Sequence, residues 1–186
     1  MIAAIDIPVV ETGRLRLRGW READLDGLLQ LLSDNDNAQF IGPMASRVEV
    51  WRRMATMIGH WSLRGYGTWA VTMAGDDTCL GWAGPWYPEG FSEREIGWAL
   101  VRSAQGKGVA TEAALAARSF AYTRLGWTTA VSFIDPANQA SARVAERLGA
   151  VRDGISAVHG KTVDVWRHPP PSAADSGVHS VGGKKT

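Results

Sequence analysis

Two glycines one residue apart, Gly106 and Gly108, sit in the run Gln105-Gly-Lys-Gly-Val-Ala110. Before them lies the strand-like run Glu95-Ile-Gly-Trp-Ala-Leu100, and after them the helix-like run Thr111-Glu-Ala-Ala-Leu-Ala-Ala-Arg118. A strand, a glycine turn and a helix start in that order form a cradle for an anion. The first N–H groups of a helix lack intrahelical partners, and the helix dipole adds partial positive charge there. A phosphate or pyrophosphate fits such a place, and glycine lets the backbone approach it with no Cβ in the way. The nucleotide-loop spacing Gly-x4-Gly-Lys-Ser/Thr is absent, because Gly108 follows Gly106-Lys107. No Gly-x-Gly-x-x-Gly with an acidic residue on a following strand occurs either. Both nucleotide readings fall.

Other chemistry is sparse. Cys79 is the only cysteine, so no disulfide or cysteine-based metal site can form within the chain. Its apolar neighbours, Leu80-Gly-Trp82, predict a buried and inert thiol. The four histidines are scattered without ligand spacing, and no metal is expected. Net charge is +1 over 186 residues, which gives no field to draw nucleic acid or an acidic membrane. No apolar run is long enough to span a bilayer. The first residues, Met1 to Pro8, lack the basic segment of a signal peptide. A cytoplasmic location is expected.

The cradle needs a scaffold, and hydrophobic period supplies one. Arg14 to Trp20 alternates with period two and reads as a strand. Glu22 to Leu32 reads as a helix with Leu25, Leu28, Leu29 and Leu32 on one stripe, ended by Ser33-Asp-Asn-Asp-Asn37. Ser46-Arg-Val-Glu49 has capping-box spacing and opens a helix to about Leu63. Thr68–Met73 and Cys79–Trp86 read as a hairpin. Glu95–Leu100 is the next strand, and Gly108–Leu125 a helix stopped by Gly126. Thr128–Ile134 is a strand, Gln139–Leu148 a helix, and Val151–Asp153 and Val163–Trp166 two short closing strands. The order β-α-α-β-β-β-α-β-α-β-β predicts an α/β fold with a mixed, largely antiparallel twisted sheet flanked by helices. One domain spans 9–168. The Pro, Ser, Ala, Gly and Lys of 169–186 predict a disordered tail.

The second half resembles the GNAT family of N-acetyltransferases, and within it the branch similar to ribosomal-protein N-terminal acetyltransferases (RimJ/RimL-like). The family signature for the coenzyme A pyrophosphate is Gln/Arg-x-x-Gly-x-Gly/Ala. Gln105 to Ala110 matches it, and Thr111-Glu-Ala-Ala114 follows as that branch commonly shows. Glu95-Ile-Gly-Trp98 looks like the branch's preceding strand. Asp135-Pro-Ala-Asn138-Gln-Ala-Ser141 and Val144-Ala-Glu-Arg-Leu-Gly149 match its second motif.

The resemblance implies acetyl-CoA as cosubstrate, with no metal, and direct attack of a primary amine on the thioester. Gln105, Gly106, Lys107, Gly108, Val109 and Ala110 are then expected around the pyrophosphate. Trp98, Ala99 and Leu100 should splay from the following strand and pair with the pantetheine amides. Asn138 offers a donor and an acceptor to the same arm, and can equally cap a helix. A backbone N–H of the strand before the cradle would stabilise the oxyanion. Many members place a Tyr seven residues after the Asn as the acid, and Ala145 stands there. Ser141 is then the candidate acid toward the thiolate, its other reading being a small residue packed on the coenzyme. Glu95 is the candidate base, acting through water, its other reading a solvated strand residue. Glu89, Glu93 and His60 are rivals. Arg102, Ala104 and Ala150 stand where the family often has Pro, an aromatic and Phe, which implies looser apolar walls around the coenzyme.

The acceptor site is expected among the first helices, the Trp86–Ser92 loop and the closing strands, with Trp61, Trp69, Trp86 and Trp98 lining it. The leading acceptor is a protein or peptide α-amine. A small amine (antibiotic, polyamine or amino acid) and a non-catalytic acyl-CoA sensor are the alternatives. A homodimer fits the family. No nucleic-acid or membrane partner is expected.

Overall fold

A computed structural model describes residues 5–42, 44 and 46–172. An eight-stranded sheet forms its backbone, in the order β1-β2-β3-β4-β5-β6-β8-β7. The strands are β1 (Val10–Glu11), β2 (Leu15–Arg18), β3 (Trp69–Met73), β4 (Gly81–Trp86), β5 (Glu95–Leu100), β6 (Val131–Ile134), β7 (Val151–Val158) and β8 (Lys161–Arg167). Every neighbouring pair is antiparallel except β5–β6. The helices are α1 (Leu25–Ser33), α2 (Asn35–Ile41), α3 (Arg47–Arg64), α4 (Val109–Thr123) and α5 (Gln139–Arg147). The mixed, largely antiparallel α/β expectation holds.

Local chemistry explains the boundaries. Ser46 and Glu49 close the capping box at the start of α3: the Ser46 Oγ accepts from Glu49 N–H at 3.2 Å, and Ser46 N–H donates to Glu49 Oε2 at 3.0 Å. Gly65 ends α3 in the left-handed region. Five alanines on α4 (113, 114, 116, 117 and 121) are fully buried, and α4 packs on β4 and β5 through them. Small side chains let this helix lie close to the sheet it follows.

Three sequence expectations need correction. The first helix does end at Ser33, as expected, but Asn35 to Asn37 open another helix instead of a loop. Asp34 caps a further helix, α2, by accepting from Asp36 N–H at 3.1 Å. Arg102 then holds Asp34 and Asp36 at 3.0 and 2.5 Å, so the acidic turn is neutralised from across the chain. The closing strands β7 and β8 are longer than the short pair expected. They form a hairpin with exposed Val151 and Ile155, whose period-two signal is weak on an edge strand. The helix expected from Glu22 starts as a 3-10 turn over Glu22–Asp24.

Cys79 is buried, and burial pushes its thiol up to about 11, which leaves it inert as expected. The expected tail lies outside the described residues from 173 onward. At its start Pro169 is tied down, its carbonyl accepting from Tyr122 Oη at 2.8 Å.

Candidate active site

The glycine turn folds as a cradle. Gly106 and Gly108 have φ of 72° and 77°, in the left-handed region that Cβ-bearing residues avoid. Gly108 is the N-cap of α4 and supplies no side-chain cap, so the first N–H groups of the helix stay open to a ligand. Arg14, which the sequence reading missed, braces the turn: its Nη1 donates to Lys107 O at 3.2 Å. Glu112 on α4 anchors Arg14 through Nε at 2.8 Å and Nη2 at 2.7 Å. A half-exposed guanidinium therefore flanks the cradle. The Gln105 side chain points elsewhere, its Nε2 donating to Asn37 Oδ1 at 2.7 Å and Leu100 O at 2.9 Å.

The parallel strands β5 and β6 part almost at once. They pair only at Glu95↔Val131. One residue on, Ile96 O takes its hydrogen bond from the Ser132 hydroxyl at 2.6 Å instead of from a backbone N–H. On the opposite edge β5 stays paired with β4 from Trp86↔Glu95 to Gly81↔Leu100, and Val101 N–H then donates to Leu80 O at 2.8 Å. Backbone groups alternate between the two edges of a strand. Trp98 therefore turns its N–H and C=O into the gap left by β6. A strand-like ligand can pair there.

At the far side of the gap, Asn138 caps α5. Its Oδ1 accepts from Ser141 N–H at 3.0 Å, so the capping reading of Asn138 is realised. Asn138 and Ser141 both line the cavity that fills the gap. Ala145 is fully buried beside Ile134 and Ala150, which leaves no acid at the position of the family's tyrosine.

That cavity, about 440 Å³, brings together Glu95, Trp98, Asn138 and Ser141 from the expected set. Ala99, Leu100 and Gln105 to Ala110 lie off its wall, at the end of β5 and beyond. Burial pushes the Glu95 carboxyl up to about 7, against the opposing pull of Phe133 N–H and of Arg53. Such a group exchanges protons near neutral pH.

None of the three rivals lines this cavity. His60 is buried and stacked on Trp86 with centroids 4.2 Å apart. Its Nδ1 lies 2.7 Å from Tyr66 O and its Nε2 accepts from Tyr87 N–H at 3.2 Å, so both ring nitrogens are used. Glu93 is held by Arg167 at 2.9 and 3.0 Å. Glu89 is fully exposed beside Arg64, at 3.7 Å.

Two of the expected aromatic walls are corrected. Trp61 and Trp69 are core residues, with their indole N–H groups on Thr68 O at 3.0 Å and Pro8 O at 2.7 Å. Trp86 and Trp98 do line the cavity, joined by Trp82, Phe91 and Arg53. Arg53 was legible only as an arginine one turn from Met57 on the buried stripe of α3. Lys161, at the start of β8, donates to Gln39 O of α2 at 3.4 Å, so the hairpin and α2 meet at the cavity.

Known proteins are similar to this chain in sequence and fold. Residues 14–151 match the family model of the GNAT acetyltransferase domain. The chain is 30% identical over 166 residues to the uncharacterized protein YkkB of Bacillus subtilis (strain 168), covering 85% of this chain and 90% of that one. An acetyltransferase from Agrobacterium tumefaciens str. C58 superposes with a TM-score of 0.80 at 28% identity, over 91% of this chain and 98% of that one. RimL, a ribosomal L7/L12 alpha-N-protein acetyltransferase solved with coenzyme A, shares the fold with a TM-score of 0.71 at 21% identity, over 86% and 97% of the two chains. With its sequence and its fold both matched over most of its length, this chain is an acyltransferase that belongs to the GNAT acetyltransferase family.

Proposed function

We propose that the protein moves an acetyl group from acetyl-CoA to a small primary amine taken up in the cavity beside Glu95. The observation that carries this is the placement of Glu95 and Ser141 on the wall of one cavity, at the fork between β5 and β6. The cradle fits a pyrophosphate, because its two glycines hold left-handed turns and the helix start is uncapped. The free edge of β5 at Trp98 fits an amide-bearing arm, and Asn138 lines the same gap.

The bound coenzyme supplies a thioester, which an amine attacks directly. Glu95, with its carboxyl near 7, takes the proton that an ammonium must lose before attack. The N–H of Trp98 in the gap faces charge developing on the carbonyl oxygen. Ser141 Oγ donates to the leaving sulfur, a modest task because a free thiol has a pKa of about 8.5.

The contact of Lys161 in β8 with Gln39 O of α2, at the cavity, supports a small amine over the peptide N-terminus. A cavity of about 440 Å³ that also receives the thioester end of the arm leaves space for a compact acceptor. The test is thiol release from acetyl-CoA with matched panels of small amines and N-terminal peptides. Turnover confined to small amines is the expected result. Turnover confined to peptides overturns the acceptor assignment, and none with either overturns the reaction.

A further inference from the structure

Arg53 is set into the cavity wall from α3, one turn before Met57. Its Nε is buried without a hydrogen-bond partner, and among the described residues the guanidinium forms no hydrogen bond or ion pair. The two other deeply set arginines differ. Arg18 binds Asp24 at 2.7 Å, and Arg118 binds Leu148 O at 2.6 Å. Arg53 has only the Trp82 ring, with 6.0 Å from its guanidinium carbon to the ring centroid.

A cation stripped of water and left unpaired is costly. Burial pulls the Arg53 pKa down, and Glu95 is the one charge acting to raise it. Glu95 is a poor counter-ion, because its own carboxyl is only part ionised near neutral pH. The remaining charged groups on the wall are Asp135 and Lys161, and both are engaged: Asp135 Oδ1 accepts from Ala137 N–H at 2.9 Å, and Lys161 donates to Gln39 O.

We infer that the acceptor is an amino acid, a small amine that also carries a carboxylate, and that Arg53 is the group that reads the carboxylate. This rests on the acetyltransferase reading above. Glu95 and Arg53 then form the complement of a zwitterion: one takes the ammonium and its proton, the other a planar two-oxygen anion that suits a guanidinium fork. Trp82, Trp86 and Phe91 face the same space and suit an apolar or aromatic side chain.

The experiment compares phenylalanine with phenylalaninamide, which present the same amine with and without the carboxylate. The parent protein should prefer the free acid by about tenfold or more in kcat/KM. Arg53→Gln should collapse that ratio toward one, and Arg53→Lys should restore part of it. A ratio near one in the parent, or a ratio that survives Arg53→Gln, overturns the inference. Calorimetric binding of N-acetylphenylalanine reads the same site without turnover: affinity lost in Arg53→Gln supports it, and equal affinity overturns it. Turnover of neither compound, with N-acetylphenylalanine binding still dependent on Arg53, would sink the reaction while upholding the carboxylate site. Thermal unfolding of Arg53→Gln controls for folding, since removing an unpaired buried cation should not lower Tm.

Discussion

The Ser132 hydroxyl donates to Ile96 O at 2.6 Å, one residue beyond the single β5–β6 pair. A side chain thus satisfies the first carbonyl that the parting strands would otherwise orphan. His168 stands behind it, its Nε2 at 2.9 Å from the same hydroxyl. The hydroxyl proton goes to Ile96 O, so His168 carries its proton on Nε2 and donates. The fork that opens the cavity is therefore held by a relay of side chains. Ser132→Ala leaves Ile96 O and His168 Nε2 unpaired in the interior, and should cost about 1–3 kcal/mol in urea unfolding. Unchanged stability would show that the fork does not depend on this hydroxyl.

Burial holds the His168 ring down to about 3, helped by the nearby Arg118 charge. The folded state resists protonation that the unfolded chain accepts near 6.5. The stability this group contributes is complete above about 6.5 and is lost as pH falls from there toward 3. Unfolding free energy measured from pH 7 to pH 4 should show a descending acid limb that His168→Gln flattens.

Glu95 works in the opposite sense. Its folded carboxyl sits near 7 against an ordinary value of 4.5. The native state favours its protonated form, so its contribution is complete below 4.5 and is lost as pH rises through 7. Glu95→Gln should therefore raise Tm at pH 8 and leave it little changed at pH 4. The same variant should lower kcat/KM by about 10²-fold or more and abolish a limb near pH 7 in the rate profile. A retained limb would remove Glu95 as the base.

Ser141→Ala should reduce kcat by about tenfold or more while coenzyme A affinity, read by calorimetry, changes little. An equal loss in both would reduce Ser141 to a packing residue of α5.

Gly108→Val forces a β-branched residue to φ of 77° and brings its Cβ to 3.4 Å from Arg14 Nη2. Coenzyme A binding should be lost. Tm should fall only modestly, because the turn is exposed and its strain is local. Retained affinity would mean that the anion is held elsewhere.

The sequence by itself determined the glycine turn and the helix start that follows it. The strand, the glycine turn and the start of α4 are contiguous, so their spacing alone specifies a left-handed turn feeding an uncapped helix. Asn138 and Ser141 were legible for the same reason, since an N-cap and its N3 residue are neighbours in the chain. The capping box of α3 and the buried Cys79 also follow from local pattern. The surroundings of Glu95 were decided by the tertiary structure. Arg53 and Glu95 are far apart in sequence, and only the packing of α3 against the sheet puts both on one cavity wall. Trp61 and Trp69 look no different in sequence from Trp86 and Trp98, yet the first pair fills the core and the second lines the site. At the start of α2, Asp34 and Asp36 meet Arg102, which comes from beyond β5. Local rules register a turn or a cap. They are blind to which cation meets which anion across the fold, and so to the lack of such a partner at Arg53 on the cavity wall.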